Sequence, residues 1–184
     1  MTISGFDGVL AAAQEGSEWA WDILVCDVGP RLVGFFRTRG IADPEALTGD
    51  VFVDLAKNLT NFDGDESGFR SWVFVIAYRR MSDEWRRQKR RAPETPSDTT
   101  AEPVRVAPSA EDVAMEGLES VEAIRMLEVL TADQRDVISL RVVAGLTLEE
   151  TAQVVGKPIG SVKSLQRRGL ATLRREIVRQ GVSR

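Results

Sequence analysis

Residues Gly145 to Leu173, GLTLEETAQVVGKPIGSVKSLQRRGLATL, decide how this chain is read. Thr147 with Glu150 three positions on is the sequence form of a capping box, in which each residue satisfies a backbone N–H of the other at a helix start. Leu148, Thr151, Ala152 and Val155 follow as a short apolar face at helical spacing. Gly156 ends that helix, and Pro158 suits the first turn of the next, where a missing N–H costs nothing. The second helix opens with Gly160, Ser161 and Ser164 and carries Lys163, Arg167, Arg168, Arg174 and Arg175. Small residues at its N-terminal end let a helix sink into a major groove, and basic ones meet phosphates and guanines. The stretch reads as a helix-turn-helix. Taken alone, it leaves a helical hairpin with a solvated basic face as the lesser alternative.

Composition narrows the choice. A chain of 184 residues holds one ordinary domain or two small ones, and 43% hydrophobic content with four tryptophans supports real cores. No apolar run approaches the roughly 18 residues needed to span a membrane. The N-terminus shows no basic region followed by an apolar segment, so no secretory signal is expected. The single cysteine, Cys26, forbids an internal disulfide and points to a reducing cytoplasm. Histidine is absent. That argues against a zinc site and excludes histidine acid–base chemistry. Neither a phosphate-binding glycine loop nor a GxSxG elbow occurs. No catalytic residue, metal or cofactor is expected, and the chain does not read as an enzyme.

The net charge of −4 conceals a pattern. Residues 1–66 hold four basic against twelve acidic residues, and 92–122 hold one against eight. Between them, 79–91 carry seven basic residues against two acidic, and 163–179 carry six against one. Two basic stripes separated by an acidic segment suggest two nucleic-acid contacts, with acidic surfaces turned to other partners.

Residues from Ala92 to about Gly117, with Pro93, Pro96, Pro103 and Pro108, have the composition of a flexible linker. The expected organisation is a domain over 1–91, an acidic Pro-rich linker over 92–118 and a domain over 119–184. The first domain reads as helices. One runs from Trp19 to about Arg39, with a possible interruption at Gly29-Pro30. A second runs from Pro44 to about Leu59, burying Val51, Phe52, Leu55, Ala56 and Leu59, with Asp50, Asp54 and Lys57 on another face. Asn61 to Gly68 reads as a loop. A long helix follows from about Phe69 to Arg90, apolar at Phe69, Val73, Ile76, Ala77 and Met81. Its polar side carries Arg79, Asp83, Arg86, Arg87 and Arg90. Trp72 reads as core, while Trp85, among arginines, suits packing and base stacking equally. The second domain begins with a helix over Ser120 to Leu130. Thr131 and Gln134 form a second capping box, starting a helix through Ala144 that Gly145 stops. No period-two pattern persists, so the fold is expected to be all-α, two small helical domains.

Here a resemblance becomes specific. FRSWVFVIAYRRMSDEWRRQKRR, Phe69 to Arg91, is similar to the core-binding and −10-reading segment of bacterial extracytoplasmic-function sigma factors. DVFVDLAKNL, Asp50 to Leu59, resembles their polymerase-docking helix. LTADQRDVISLRVVAGLTLEETAQVVGKPIGSVKSLQRRGLATLRR, Leu130 to Arg175, resembles their −35-reading domain. The resemblance implies a sigma factor that binds RNA polymerase core, reads −35 and −10 promoter elements, assists strand opening and is held in check by an anti-sigma factor. It implies that Asp50, Phe52, Asp54 and Lys57 lie in the helix that docks on the clamp of the largest subunit, and that the second-largest subunit's flap is a further partner. It places Asn61, Phe62, Asp63, Ser67, Arg79, Arg80, Asp83, Arg86, Arg87 and Arg90 at the −10 element, the loop capturing a flipped base and the arginines holding phosphates. Ser161, Lys163, Ser164, Gln166, Arg167 and Arg168 fall at the −35 element. Two departures stand out. Tyr78-Arg79 replaces the family's usual Arg-Asn, and Leu165 replaces an arginine, reading as core-facing and leaving base readout to Gln166 or Arg167. A stand-alone helix-turn-helix regulator, or a decoy that binds an anti-sigma factor without transcribing, are the rival readings. Co-purification with polymerase core and promoter-dependent transcription separate them.

Overall fold

The computed structural model describes residues 3–91 and 124–182, and no strand occurs among them. Four helices come first: α1 Phe6–Gln14, α2 Glu18–Thr38, α3 Pro44–Asn58 and, after a 3-10 turn at Leu59–Asn61, α4 Glu66–Arg91. Residues 124–127 are helical, and then follow α5 Ala132–Val142, α6 Leu148–Val155 and α7 Ile159–Val182. The expected linker, and the first residues of the expected Ser120 to Leu130 helix, lie outside the described residues.

Local chemistry sets most boundaries. Asp43 caps α3 by accepting from the Ala46 N–H at 2.8 Å, with Pro44 in the first turn. Both expected capping boxes are present, Thr131 with Gln134 and Thr147 with Glu150. Gly145 and Gly156 close α5 and α6 in the left-handed conformation, at φ 73° and 65°. Other boundaries differ from expectation. α4 starts at Glu66, ahead of Phe69, because the Asp65 carboxylate accepts from the Gly68 N–H at 2.8 Å. α2 runs through Pro30 without a break. Cys26 and Pro30 both lie on its exposed face, so the carbonyl that loses its N–H partner has access to water. Pro158 stands just ahead of α7, its carbonyl accepting from Ser161 and Val162.

The sequence analysis assigned nothing to α1, yet Phe6, Val9, Leu10 and Ala13 bury its inner face. Phe6 meets Phe69 of α4 with ring centroids 5.6 Å apart. Around it, Leu24, Leu32, Phe35, Phe36, Leu55, Leu59, Val73, Phe74 and Met81 form a fully enclosed core.

That core does not stop at the domain expected to end near residue 91. It continues into Leu140, Ala144, Leu146 and Val154 of the C-terminal half. α4 has a second face, Ser67, Ser71, Tyr78 and Trp85, spaced in whole turns. Ser67 bonds Glu150, Ser71 bonds Gln153 at 3.2 Å, and the Tyr78 hydroxyl donates to Asp136 at 2.9 Å. The other Asp136 oxygen pairs with Arg39 at 2.7 Å, both side chains under a tenth exposed. The Arg39 guanidinium lies 4.8 Å from the Trp85 ring centroid, so one face of that ring is taken by a cation. Thr38 and Ser139 share a buried hydroxyl–hydroxyl bond of 2.8 Å. α6 likewise has two apolar sides. Leu148, Ala152 and Val155 pack with Val137, Val162 and Leu165 among α5, α6 and α7, whereas Val154 joins the N-terminal core, with Val155 also against it. Among the described residues the two halves pack directly together.

Candidate nucleic-acid interface

The turn between α3 and α4 is held from outside its own sequence. Gln14 on α1 donates its side-chain amide to the carbonyls of Leu59 at 3.0 Å and Phe62 at 2.8 Å. The Phe62 ring then stacks on Trp72, centroids 5.0 Å apart and planes 18° from parallel, and meets Phe69 edge-on. Gly64 permits this closeness, since a Cβ there would lie 2.9 Å from the Phe62 ring. The turn stands open beside α4. Between them lies a cleft of about 750 Å³ lined by Asp54, Asn58, Asn61, Phe62, Asp63, Trp72, Ile76, Arg79, Arg80 and Asp83. Six residues expected at one nucleic-acid site, Asn61, Phe62, Asp63, Arg79, Arg80 and Asp83, thus share one concavity. Ser67 is not among them; it faces Glu150 on α6.

The charges in the cleft are unequal. Arg80 gives Nε and Nη2 to the two Asp54 oxygens at 2.6 and 2.5 Å, a bidentate pair between α4 and α3. The pairing holds the Asp54 carboxyl below its usual range and raises Arg80. Arg79 is exposed, with no partner among the described residues. Asp83 pairs with exposed Arg86 at 3.0 Å, and Arg87 meets Glu84 at 3.4 Å. Arg90 is exposed further along the same helix. On α3, Asp50 and Lys57 are exposed and Phe52 is half-buried, its ring 3.8 Å from where a Gly29 Cβ would stand. The Asp54 carboxylate, expected on the docking face, is paired with Arg80.

The second surface is on α7. Val162 and Leu165 are buried, and Gly169 lets α7 approach α5, a Cβ there falling 3.2 Å from Ile138. At 100° per residue, Ser161, Ser164, Arg167 and Arg168 share one arc with Lys163 at its edge. Ser161, Lys163, Arg167 and Arg168 are exposed, and Gly160 opens onto empty space. Gln166 is half-buried and lies about 160° round the helix from Arg168, off that arc. Of the two candidates for base readout, only Arg167 is on the exposed basic face.

A helix-turn-helix that presents a basic helix, and a second basic helix beside a polar and aromatic cleft, are features of proteins that bind DNA. Residues 25–91 match the family described as sigma-70 region 2, and residues 126–175 match sigma-70, region 4. The ECF RNA polymerase sigma factor SigD of Mycobacterium tuberculosis is 32% identical over 190 residues, covering 98% of this chain and 89% of that one. ECF RNA polymerase sigma factor BldN of Streptomyces coelicolor is 29% identical over 141 residues, spanning 77% of this chain and 53% of BldN. Among solved structures, CnrH in complex with the cytosolic domain of CnrY superposes with a TM-score of 0.67 at 25% identity, over 92% of this chain and 94% of CnrH. The chain belongs to the ECF RNA polymerase sigma factors, which direct RNA polymerase to promoters. Among the described residues no helix is long and apolar enough to cross a membrane.

Proposed function

We propose that this sigma factor captures an unpaired base of the −10 element in the cleft between the Leu59 to Asp65 turn and α4, while α7 reads the −35 element. The observation that carries this is the cleft itself, where aromatic rings, amides, carboxylates and arginines from separate segments meet. Stacking on Trp72 or Phe62 and polar contacts from Asn61, Asp63 and Asp83 would offset the few kcal/mol of extrusion. Arg79, Arg86, Arg87 and Arg90 hold the backbone of the opening strand. On α7, Ser161, Lys163, Ser164, Arg167 and Arg168 meet the −35 duplex. The exposed face of α3, with Asp50, Lys57 and Phe52 at its edge, docks on the polymerase clamp, and the C-terminal unit meets the flap. The working units are 1–91 and 119–184, joined by the acidic segment 92–118. Activity is cytoplasmic and restrained by an anti-sigma factor; the complex of CnrH with a cytosolic domain of CnrY supports such a partner. The protein performs no bond chemistry itself.

The test exchanges Asn61 to Asp65 for a Gly/Ser segment of equal length. Strand opening on duplex promoters should be abolished, read as loss of permanganate-reactive thymines around the −10 element, with −35-dependent binding nearly intact. A template already melted at −10 should recover much of the initiation, because unpairing no longer has to be driven. Normal thymine reactivity in the exchanged protein would place base capture elsewhere.

A further inference from the structure

The two adjacent arginines of the cleft are in different electrostatic states. Arg79 is exposed and unpaired among the described residues. Arg80 is about a quarter exposed, as is Asp54, and its Nε and Nη2 are both spent on that carboxylate. A bidentate pair fixes the plane of the guanidinium and cancels most of its charge toward a distant phosphate. It leaves Nη1, with two N–H donors, without a bond among the described residues. The Asp54 backbone is fixed within α3, which packs along α4, and Asn58 bonds its carbonyl at 2.8 Å. A free arginine at this place would be a mobile cation suited to the DNA backbone. A clamped, neutralised one is a donor of fixed direction.

We propose that Asp54 is a positioning residue for promoter reading: it converts Arg80 from a phosphate contact into an oriented hydrogen-bond donor to the acceptor edge of the captured −10 base, leaving the backbone contact to Arg79. This assignment rests on the cleft being the −10 base site. It also removes Asp54 from the polymerase-docking face and Arg80 from the phosphate-holding set.

Salt dependence separates the two roles, because each phosphate neutralised on a single strand contributes about 0.7 to the slope of log affinity against log salt. The measurement is binding of full-length protein with core polymerase to promoter templates pre-melted at −10, carrying each of the four bases at the captured position, across a salt series. Arg79→Ala should lower the slope by about 0.7 and leave base preference unchanged. Arg80→Ala combined with Asp54→Asn, which removes the neutral pair without stranding a carboxylate, should leave the slope unchanged and reduce discrimination among bases by roughly tenfold. Asp54→Asn, by releasing the Arg80 charge, should raise the slope by up to about 0.7 while lowering discrimination, with core affinity as in the wild type. Asp54→Glu should keep the wild-type slope. An equal fall in slope for the Arg80→Ala, Asp54→Asn double variant and for Arg79→Ala would overturn the proposal, as would an Asp54→Asn protein with wild-type slope and preference. If neither arginine substitution alters slope or preference for any base, the cleft reading fails, and this assignment with it.

Discussion

Asp136 carries opposite obligations on its two oxygens, an ion pair with Arg39 and a hydrogen bond from half-buried Tyr78, and little water reaches the Asp136 and Arg39 side chains. Burial pushes its carboxyl above the ordinary value of 3.8, against the pull of Arg39. The same burial raises the Tyr78 hydroxyl. Asp54 shifts the other way, lowered by Arg80. The two carboxyls therefore act oppositely on stability. Asp54 contributes stability above its unfolded pKa that is lost as pH falls through its depressed folded value. For Asp136 the folded state holds the proton more tightly, so stability declines as pH rises from 3.8 toward the elevated value. Urea unfolding across pH should show the decline missing in Asp136→Asn and the acid-side loss reduced in Asp54→Asn. At neutral pH, Asp136→Ala should cost about 3–5 kcal/mol, because it strands the Arg39 charge away from water. Replacing both partners, Arg39→Met with Asp136→Leu, should recover most of that loss. A loss of under about 1 kcal/mol in the single variant would show that the pair is solvated, as surface pairs are.

At the level of elements, α7 gives the sharpest expectation. Arg167 is exposed on the arc shared with Ser164 and Arg168, with no side-chain partner among the described residues. Arg167→Ala should weaken use of the cognate −35 element by about 1–3 kcal/mol and relax specificity there if it reads a guanine. A uniform loss on all sequences, with a salt slope lower by about 0.9, would mark it as a phosphate contact. Equal activity at every promoter would remove it from the interface. Leu165 was legible in advance because a leucine among Val162 and Gly169 falls on the inward side of a 3.6-residue period. The capping boxes were legible because each is a local exchange over three residues. α1 was missed although Phe6, Val9, Leu10 and Ala13 stand at helical spacing; its glycines at 5, 8 and 16 and its short length dilute the pattern. The second faces of α4 and α6 were not legible for a stronger reason. Ser67, Ser71, Tyr78 and Val154 look like ordinary positions until another segment is laid against them. In the cleft, residue types and order were readable, but the Asp54–Arg80 pair spans 26 positions and the Gln14 clamp 45 or more, and no periodicity reports such distances.

At the scale of the whole molecule, the continuous core poses a geometric conflict. The −10 and −35 elements lie about 25 base pairs apart, roughly 85 Å along the duplex at 3.4 Å per step. A compact body of roughly 150 residues has a radius of gyration of about 15 Å and is about 40 Å across. With Val154 inside the N-terminal core and Tyr78 bonded to Asp136, the closed arrangement does not bring its cleft and its α7 to both elements at once. The expected outcome is that the seam along α2, α4, α5 and α6 parts when a promoter is read in two places. Thr38 and Ser139 give a means of holding it shut, since their hydroxyl oxygens meet at 2.8 Å across the seam and a cysteine at each position would bring two thiols to the same place. In a Cys26→Ser background, Thr38→Cys with Ser139→Cys should cross-link on oxidation without loss of helix content. The oxidised protein should fail to support transcription from promoters that require both elements, and a reductant should restore it. The single-cysteine controls should respond to neither treatment. Full activity of the cross-linked protein at such promoters would show that the seam stays closed in the initiating complex, and that DNA bending, or a different placement of α7, bridges the distance instead.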